Sequence, residues 1–191
     1  MTKIKVGFAI TGSFCTHEKI LLVLKDLVKK GYDILPILSY SVKNTDTRFG
    51  SAKDFYKNVK DITGKTPIDT IVGAEPVGPK GMIDILVVAP CTGNTLSKLA
   101  NAITDTAPTM VAKAHLRNNK PLVIAVSSND ALGLNMKNLA TLMSTKNVYF
   151  VPFGQDDATN KPKSLIADYD MIEETILCDL KHEQIQPVLL K

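Results

Sequence analysis

The sequence is short of the features that mark several large classes of protein. No apolar run approaches the roughly 18 uninterrupted residues of a membrane span, and the N-terminus enters an apolar segment at Ile4 without a signal-peptide cleavage pattern. A soluble, cytoplasmic chain is expected, with no membrane partner. Cysteine occurs only at Cys15, Cys91 and Cys178, an odd count without C-x-x-C spacing, which argues against a disulfide framework or a zinc site. Cys91 reads as a small buried hydrophobe rather than as a nucleophile. The net charge of +4 is spread along the chain with no basic run longer than Lys29-Lys30, so nucleic acid is not an expected partner. Eleven glycines and ten prolines in 191 residues exclude collagenous and low-complexity architectures. Nucleotide fingerprints are missing as well. Gly7 and Gly12 are too far apart for G-x-G-x-x-G, and Ser13 follows Gly12 where a P-loop carries lysine. No G-x-S-x-G elbow occurs, and His17, His115 and His182 fall on or beside predicted helices as solvated or capping residues.

What is present suits one hydrophobic core: 45 % of the residues are apolar and 22 % charged, and the length is short for two domains. A single domain over 1–191 is expected. Ile4 to Ile10 is apolar and partly β-branched and runs into Thr11-Gly12-Ser13 ahead of a helical stretch. There Ile20, Leu21, Leu24, Leu27 and Val28 recur at helical spacing, Lys29-Lys30 complement the C-terminal dipole, and Gly31 follows. Asp33 to Ser39 reads as a second strand and Asp54 to Asp61 as a helix. Ile83 to Ala89 is a strand apolar enough to be buried on both faces. Further helices are expected from Thr95 to about Ile103, from about Pro108 to Leu116 and from Asn135 to Ser144, with strands from Pro121 to Val126 and from Val148 to Val151. Pro152 to Lys163 reads as an exposed loop and Ser164 to Lys181 as a closing helix. This alternation implies an α/β fold, a doubly wound parallel sheet flanked by helices, with ligands at the carboxyl ends of the strands.

Three strand-to-helix turns share one composition. Thr11-Gly12-Ser13, Cys91-Thr92-Gly93-Asn94-Thr95 and Ser127-Ser128-Asn129-Asp130 are rich in small hydroxyl and amide groups. A helix N-terminus offers unpaired N–H groups and partial positive charge, so such turns suit a phosphate or a polar ring edge. Ordinary N-capping would account for any one of them; three in one sheet favour a phosphorylated cofactor. Arginine is scarce, at positions 48 and 117 only. Arg48, in the polar stretch Lys43 to Gly50, suits a substrate carboxylate or is a solvated loop residue. Arg117 sits where a helix dipole explains it.

These turns carry a resemblance. Thr11 to Ser13, Ser39 at the end of the second strand, and the stretch Ala89-Pro90-Cys91-Thr92-Gly93-Asn94-Thr95-Leu96-Ser97-Lys98-Leu99-Ala100 resemble the flavoprotein superfamily of cysteine-decarboxylase-like proteins, whose Pro-x-x-x-Asn-Thr turn binds FMN. The resemblance implies a Rossmann-like, flavodoxin-like three-layer sandwich. It implies FMN contacts from Thr11, Gly12, Ser13, Ser39, Pro90, Thr92, Gly93, Asn94 and Thr95, with Ser127 and Ser128 as additions. A homo-oligomer is implied by the same analogy, because the superfamily builds flavin sites where protomers meet. Two departures matter: Pro76 occupies the slot of the decarboxylases' histidine, and Ser127 to Gly133 replaces their Pro-x-Met-Asn-x-x-Met loop. Decarboxylation of a cysteinyl substrate is therefore not expected.

Longer strings are similar to one family inside that superfamily, the dipicolinate synthase B subunits of spore-forming bacteria: Thr45 to Gly50, Ala74 to Lys80, Thr92 to Asn94, Ser128 to Asn135, Met143 to Asn147 and Pro152 to Asp157. This resemblance implies a partner, the dipicolinate synthase A subunit, carrying NAD or NADP, and a small dicarboxylate substrate in the mother cell of a sporulating bacterium. A dihydrodipicolinate-level intermediate would be oxidised to dipicolinate. Aromatisation drives that step, so the protein has to orient the ring and receive hydride and proton. On this reading Asn129 and Asp130 meet the ring or its proton, and Arg48 with Lys80 take the two carboxylates. Asp130 reads equally as an N-cap and Lys80 as a turn residue after Pro79. The alternatives are a non-catalytic accessory subunit with a vestigial flavin site, or a free-standing FMN-dependent decarboxylase or prenyltransferase.

Overall fold

The computed structural model describes residues 3–190. In chain order the elements are β1 (Lys5–Ile10), α1 (His17–Lys29), β2 (Asp33–Leu38), α2 (Tyr40–Asn44), α3 (Ala52–Thr63), α4 (Ile71–Ala74), β3 (Ile85–Cys91), α5 (Gly93–Ala100), α6 (Ala107–Arg117), β4 (Leu122–Ser128), α7 (Met136–Met143), β5 (Val148–Phe150), β6 (Phe153–Asp157), β7 (Lys161–Ala167) and α8 (Ile172–Asp179). The strands form one sheet in the order β2-β1-β3-β4-β7-β6, with β5 on the first half of β4. From β2 to β5 every pairing is parallel. The chain passes from β1 outward to β2 and then returns to the other side of β1 for β3, and this reversal opens a crevice at the carboxyl ends.

The central position of β3 follows from its residues. Ile-Leu-Val-Val-Ala-Pro-Cys has no polar side chain, and all seven residues are buried, as a parallel strand covered on both faces requires. Ile20, Leu24 and Leu27 turn one face of α1 to the core. At the start of α6, Thr106 and Thr109 form a reciprocal capping box, with Pro108 in the first turn. Among the described residues no helix is long and apolar enough to cross a membrane.

The sheet margins are covered by short segments. Ile68 donates its N–H to Pro36 O (2.9 Å) and accepts from Leu38 N (2.8 Å) on the outer side of β2. The Gln184 side chain does the same for β5, accepting from Phe150 N at 2.8 Å and donating to Phe150 O at 2.7 Å. At the start of β6, Phe153 N donates to Val188 O (3.0 Å) and Phe153 O accepts from Leu190 N (2.9 Å).

Three expectations are corrected. The stretch read as an exposed loop holds β6, which pairs antiparallel with β7, and β7 in turn pairs antiparallel with the end of β4 through Ser127 and Ser128. The expected closing helix therefore loses its first eight residues: Ser164, Leu165 and Ala167 are buried in a strand, and α8 begins only at Ile172. Tertiary pairing with an otherwise open strand end outweighs local helical periodicity here. Two of the three histidines are also not solvated. His17 is 7 % and His115 2 % exposed, and burial pushes the His115 imidazole down to about 4.

Candidate functional site

A cleft of about 1100 Å³ lies across the carboxyl ends of β1, β3 and β4. The three polar turns converge on it: Gly12 and Ser13 from the first, Thr92, Gly93 and Asn94 from the second, and Ser127, Ser128, Asn129 and Asp130 from the third, with Arg48 on the rim. Beneath them the turns are tied together. The buried Thr11 hydroxyl donates to Pro90 O at 2.7 Å and accepts from Thr92 N at 3.1 Å. Thr92 Oγ accepts from Thr95 N at 3.3 Å and so caps α5. His17 Nε2 lies 3.0 Å from Thr11 O; a carbonyl only accepts, so Nε2 carries the proton. Its ring stacks on Phe55 at 4.3 Å, and burial lowers its pKa, so it holds the first turn as a neutral imidazole.

The third turn is locked by a chain of amides. Asp130 Oδ1 accepts from the Ser128 hydroxyl at 2.8 Å and from the Asn135 amide at 2.7 Å. Asn135 Oδ1 accepts from Asn138 Nδ2 at 2.8 Å, and Asn138 Oδ1 from Asn101 Nδ2 at 3.3 Å. The Asp130 side chain thus caps no helix. Gly93 is packed against this knot: a Cβ there would fall 2.6 Å from Ser128 Oγ and 2.8 Å from Asn135 Nδ2. The absence of a side chain lets the first turn of α5 approach the cleft, and the N–H groups of Gly93 and Asn94 have no acceptor within the helix. Two free helix N–H groups, the exposed amides of Asn94 and Asn129 and a hydroxyl of the Ser13–Ser127 pair form a donor set that fits the phosphate and polar ring edge of FMN.

Other expected residues lie elsewhere. Ser39 is buried at the start of α2, where its hydroxyl accepts from Val42 N at 3.5 Å and hydrogen-bonds Ser41 Oγ at 3.1 Å. Thr11, Pro90 and Thr95 lie below the lining as supports. Lys80 is exposed in the turn that leads into the amino end of β3, whereas the cleft lies at the carboxyl end. Cys91 is fully buried, and burial pushes its thiol far up. The structure adds residues that sequence reasoning did not single out: Asp156, Lys161 and Ser164 of the β6–β7 hairpin, with Phe14, Cys15 and Phe49. No local signal marks the hairpin group, because only the antiparallel pairing of Ser127 with Ile166 brings it to the cleft.

The sequence matches the Flavoprotein family over residues 1–180. It is 50 % identical over 187 residues to the B subunit of dipicolinate synthase from Bacillus subtilis (strain 168), covering 98 % of this chain and 94 % of that protein. The chain belongs to the flavoprotein family and, within it, to the dipicolinate synthase B subunits. The crystal structure of the B subunit from Bacillus halodurans is similar with a TM-score of 0.91 at 47 % identity, over 100 % of this chain and 99 % of that one. The FMN-dependent cysteine decarboxylase SpaF is similar in fold, with a TM-score of 0.70 at 18 % identity over 93 % of this chain and 97 % of that one. Against these B subunits the fold expected from the turns, a mostly parallel sheet between helices, stands, with the β6–β7 hairpin as its antiparallel extension.

Proposed function

We propose that this chain, as a single domain over 1–191, is the B subunit of a dipicolinate synthase. With an A subunit carrying oxidised NAD or NADP, it converts a dihydrodipicolinate-level intermediate to dipicolinate in the cytoplasm of a sporulating mother cell. The observation that carries this reading is a cleft built from all three polar turns in a chain similar over almost its whole length to a dipicolinate synthase component. The reaction removes one hydride and one proton from the dihydropyridine ring: the oxidised nicotinamide of the A subunit is the final acceptor of the electron pair, and a base takes the proton. Asn129, exposed on the cleft, orients the ring. Asp130 receives the proton on Oδ2, which makes no hydrogen bond among the described residues, while Oδ1 is held by Ser128 and Asn135.

The donor set supports FMN as the cofactor of this chain. The Gly93 and Asn94 N–H groups and whichever hydroxyl of the Ser13–Ser127 pair is not donating to the other would hold it, beside Thr92 and Ser128, whose hydroxyls already donate to Thr95 Oγ1 and Asp130 Oδ1. When bound, FMN supplies a two-electron hydride acceptor. The superfamily analogy supports association of the chain with copies of itself in addition to its dehydrogenase-like partner.

The test is reconstitution. The purified chain, before and after incubation with excess FMN and gel filtration, is examined for flavin absorption. It is then mixed with the dehydrogenase-like partner, NAD or NADP and the dihydro intermediate, and dipicolinate is quantified by chromatography. Dipicolinate formation that requires both proteins and falls on Asp130→Asn is the expected result; an undiminished rate when this chain is omitted would overturn the reading.

A further inference from the structure

We infer that Lys161 is the second cation of this site, paired with Arg48, and that it holds the second carboxylate of the substrate ring. The inference rests on the dicarboxylate substrate proposed above and replaces Lys80, which lies at the opposite end of the sheet, in that role. Arg48 and Lys161 are the cationic side chains among the residues lining the cleft. Their elements place them at its two ends. Arg48 follows β2 and α2, Lys161 opens β7, and the polar turns of β1, β3 and β4 come between them in the strand order.

Each cation has donors to spare. Arg48 makes no ion pair among the described residues. Its guanidinium carbon lies 4.9 Å from the centroid of the Phe49 ring, a contact that covers one face and leaves the in-plane fork open to a carboxylate. Lys161 Nζ donates to Asp156 Oδ2 at 2.7 Å, which occupies one of its three ammonium donors and fixes its direction. The acids of the cleft are engaged: Asp156 by Lys161 and by the Ser164 hydroxyl at 3.4 Å, and Asp130 by Ser128 and Asn135. The hairpin that carries Lys161 is itself braced. Asp157 accepts from Thr159 N, Asn160 N and Asn160 Nδ2 at 3.1, 2.9 and 2.8 Å. A ring with a single carboxylate can reach only one of the two cations, so the second contact is what discriminates.

The test compares two ligands on the FMN-incubated chain by isothermal titration: dipicolinate, with two carboxylates, and picolinate, with one. Wild type is expected to favour dipicolinate by about tenfold or more, the scale of one charge-assisted contact. Lys161→Met should lower dipicolinate affinity about tenfold while leaving picolinate affinity within about twofold, and Lys161→Arg should restore it. Because Lys161 is on the surface, the variants are expected to fold. In the reconstituted mixture, Lys161→Met should raise KM with little change in kcat. Unchanged dipicolinate affinity, equal losses for both ligands, or loss of retained flavin would each overturn the inference, the last by moving Lys161 to the cofactor phosphate. If wild type neither binds dipicolinate nor supports its synthesis, the functional reading fails and takes the inference with it. Synthesis by wild type together with an unaltered KM in Lys161→Met removes the inference alone.

Discussion

The hydroxyls of Ser13 and Ser127 meet at 2.8 Å although 114 positions separate them in sequence. They join the turn after β1 to the end of β4 over β3, which lies between those strands. A half-buried hydroxyl pair of this kind is expected to couple by about 0.5–1.5 kcal/mol. Urea unfolding of Ser13→Ala, Ser127→Ala and the double variant measures that coupling directly. Additive effects would mean that the two turns are held independently.

Gly93→Ala should damage the site more than its size suggests. The new Cβ would lie 2.6 Å from Ser128 Oγ, 2.8 Å from Asn135 Nδ2 and 3.1 Å from Asp130 Oδ1, so either the start of α5 moves away from the third turn or the hydrogen-bonded knot of these three side chains is broken. The expected cost is about 1–3 kcal/mol, as for other overpacked positions, with flavin retention reduced at least about tenfold, the size of effect that roughly an ångström of misplacement produces. Thermal unfolding and flavin absorption after gel filtration report the two effects separately.

Thr11→Val keeps the shape of the side chain and removes its hydroxyl. Pro90 O and Thr92 N would then lose the partner they have at 2.7 and 3.1 Å in a site where Thr11 is 1 % exposed. A loss of about 1–3 kcal/mol is expected for a buried group left unpaired, measured as a lower urea midpoint. A change below about 0.5 kcal/mol, the range of an ordinary surface substitution, would show that water takes the place of the hydroxyl.

Asp179, the last residue of α8, is fully buried, and neither carboxylate oxygen has a hydrogen-bond partner among the described residues. Burial pushes its pKa up to about 8, against roughly 3.9 in an unfolded chain. Between those values the folded state holds a proton that the unfolded state has released. Stability from this group is therefore complete below about pH 4 and falls as pH rises towards 8, by at most about 1.4 kcal/mol per pH unit. Asp179→Asn removes the titration. Its urea midpoint should exceed that of wild type at pH 8 and change less between pH 5 and 8; parallel profiles for the two proteins would contradict the assignment.

The legible parts of the molecule were those in which one stretch of chain carries its own reason. β3 announces itself because Ile85 to Cys91 contains no polar residue, and the three polar turns stand out because each interrupts an apolar run just before a helical one. The hairpin was illegible for the opposite reason. Gln155, Asp156 and Asp157 are polar, Pro162 argues against a strand, and Lys161 to Ala167 becomes one by pairing with β6 in the hairpin and, far away in sequence, with Ser127 and Ser128. Lys161 was lost with it. Lys80 failed differently, since its sequence context shows a turn but not which end of the sheet that turn occupies. His17 looked like a surface residue at a helix start until the fold placed Thr11 O 3.0 Å from its ring.

The covered margins of the sheet bear on how this chain meets its partners. Pro36 faces outward from β2 with no N–H to offer, Leu38 is already bonded to Ile68, and both polar groups of Phe150 are taken by Gln184. Along β2 and β5 a second polypeptide therefore finds little backbone to zip onto. Recognition by another protein along these two margins has to pass through side chains, so partner choice there is written in groups that can be substituted one at a time without disturbing the sheet.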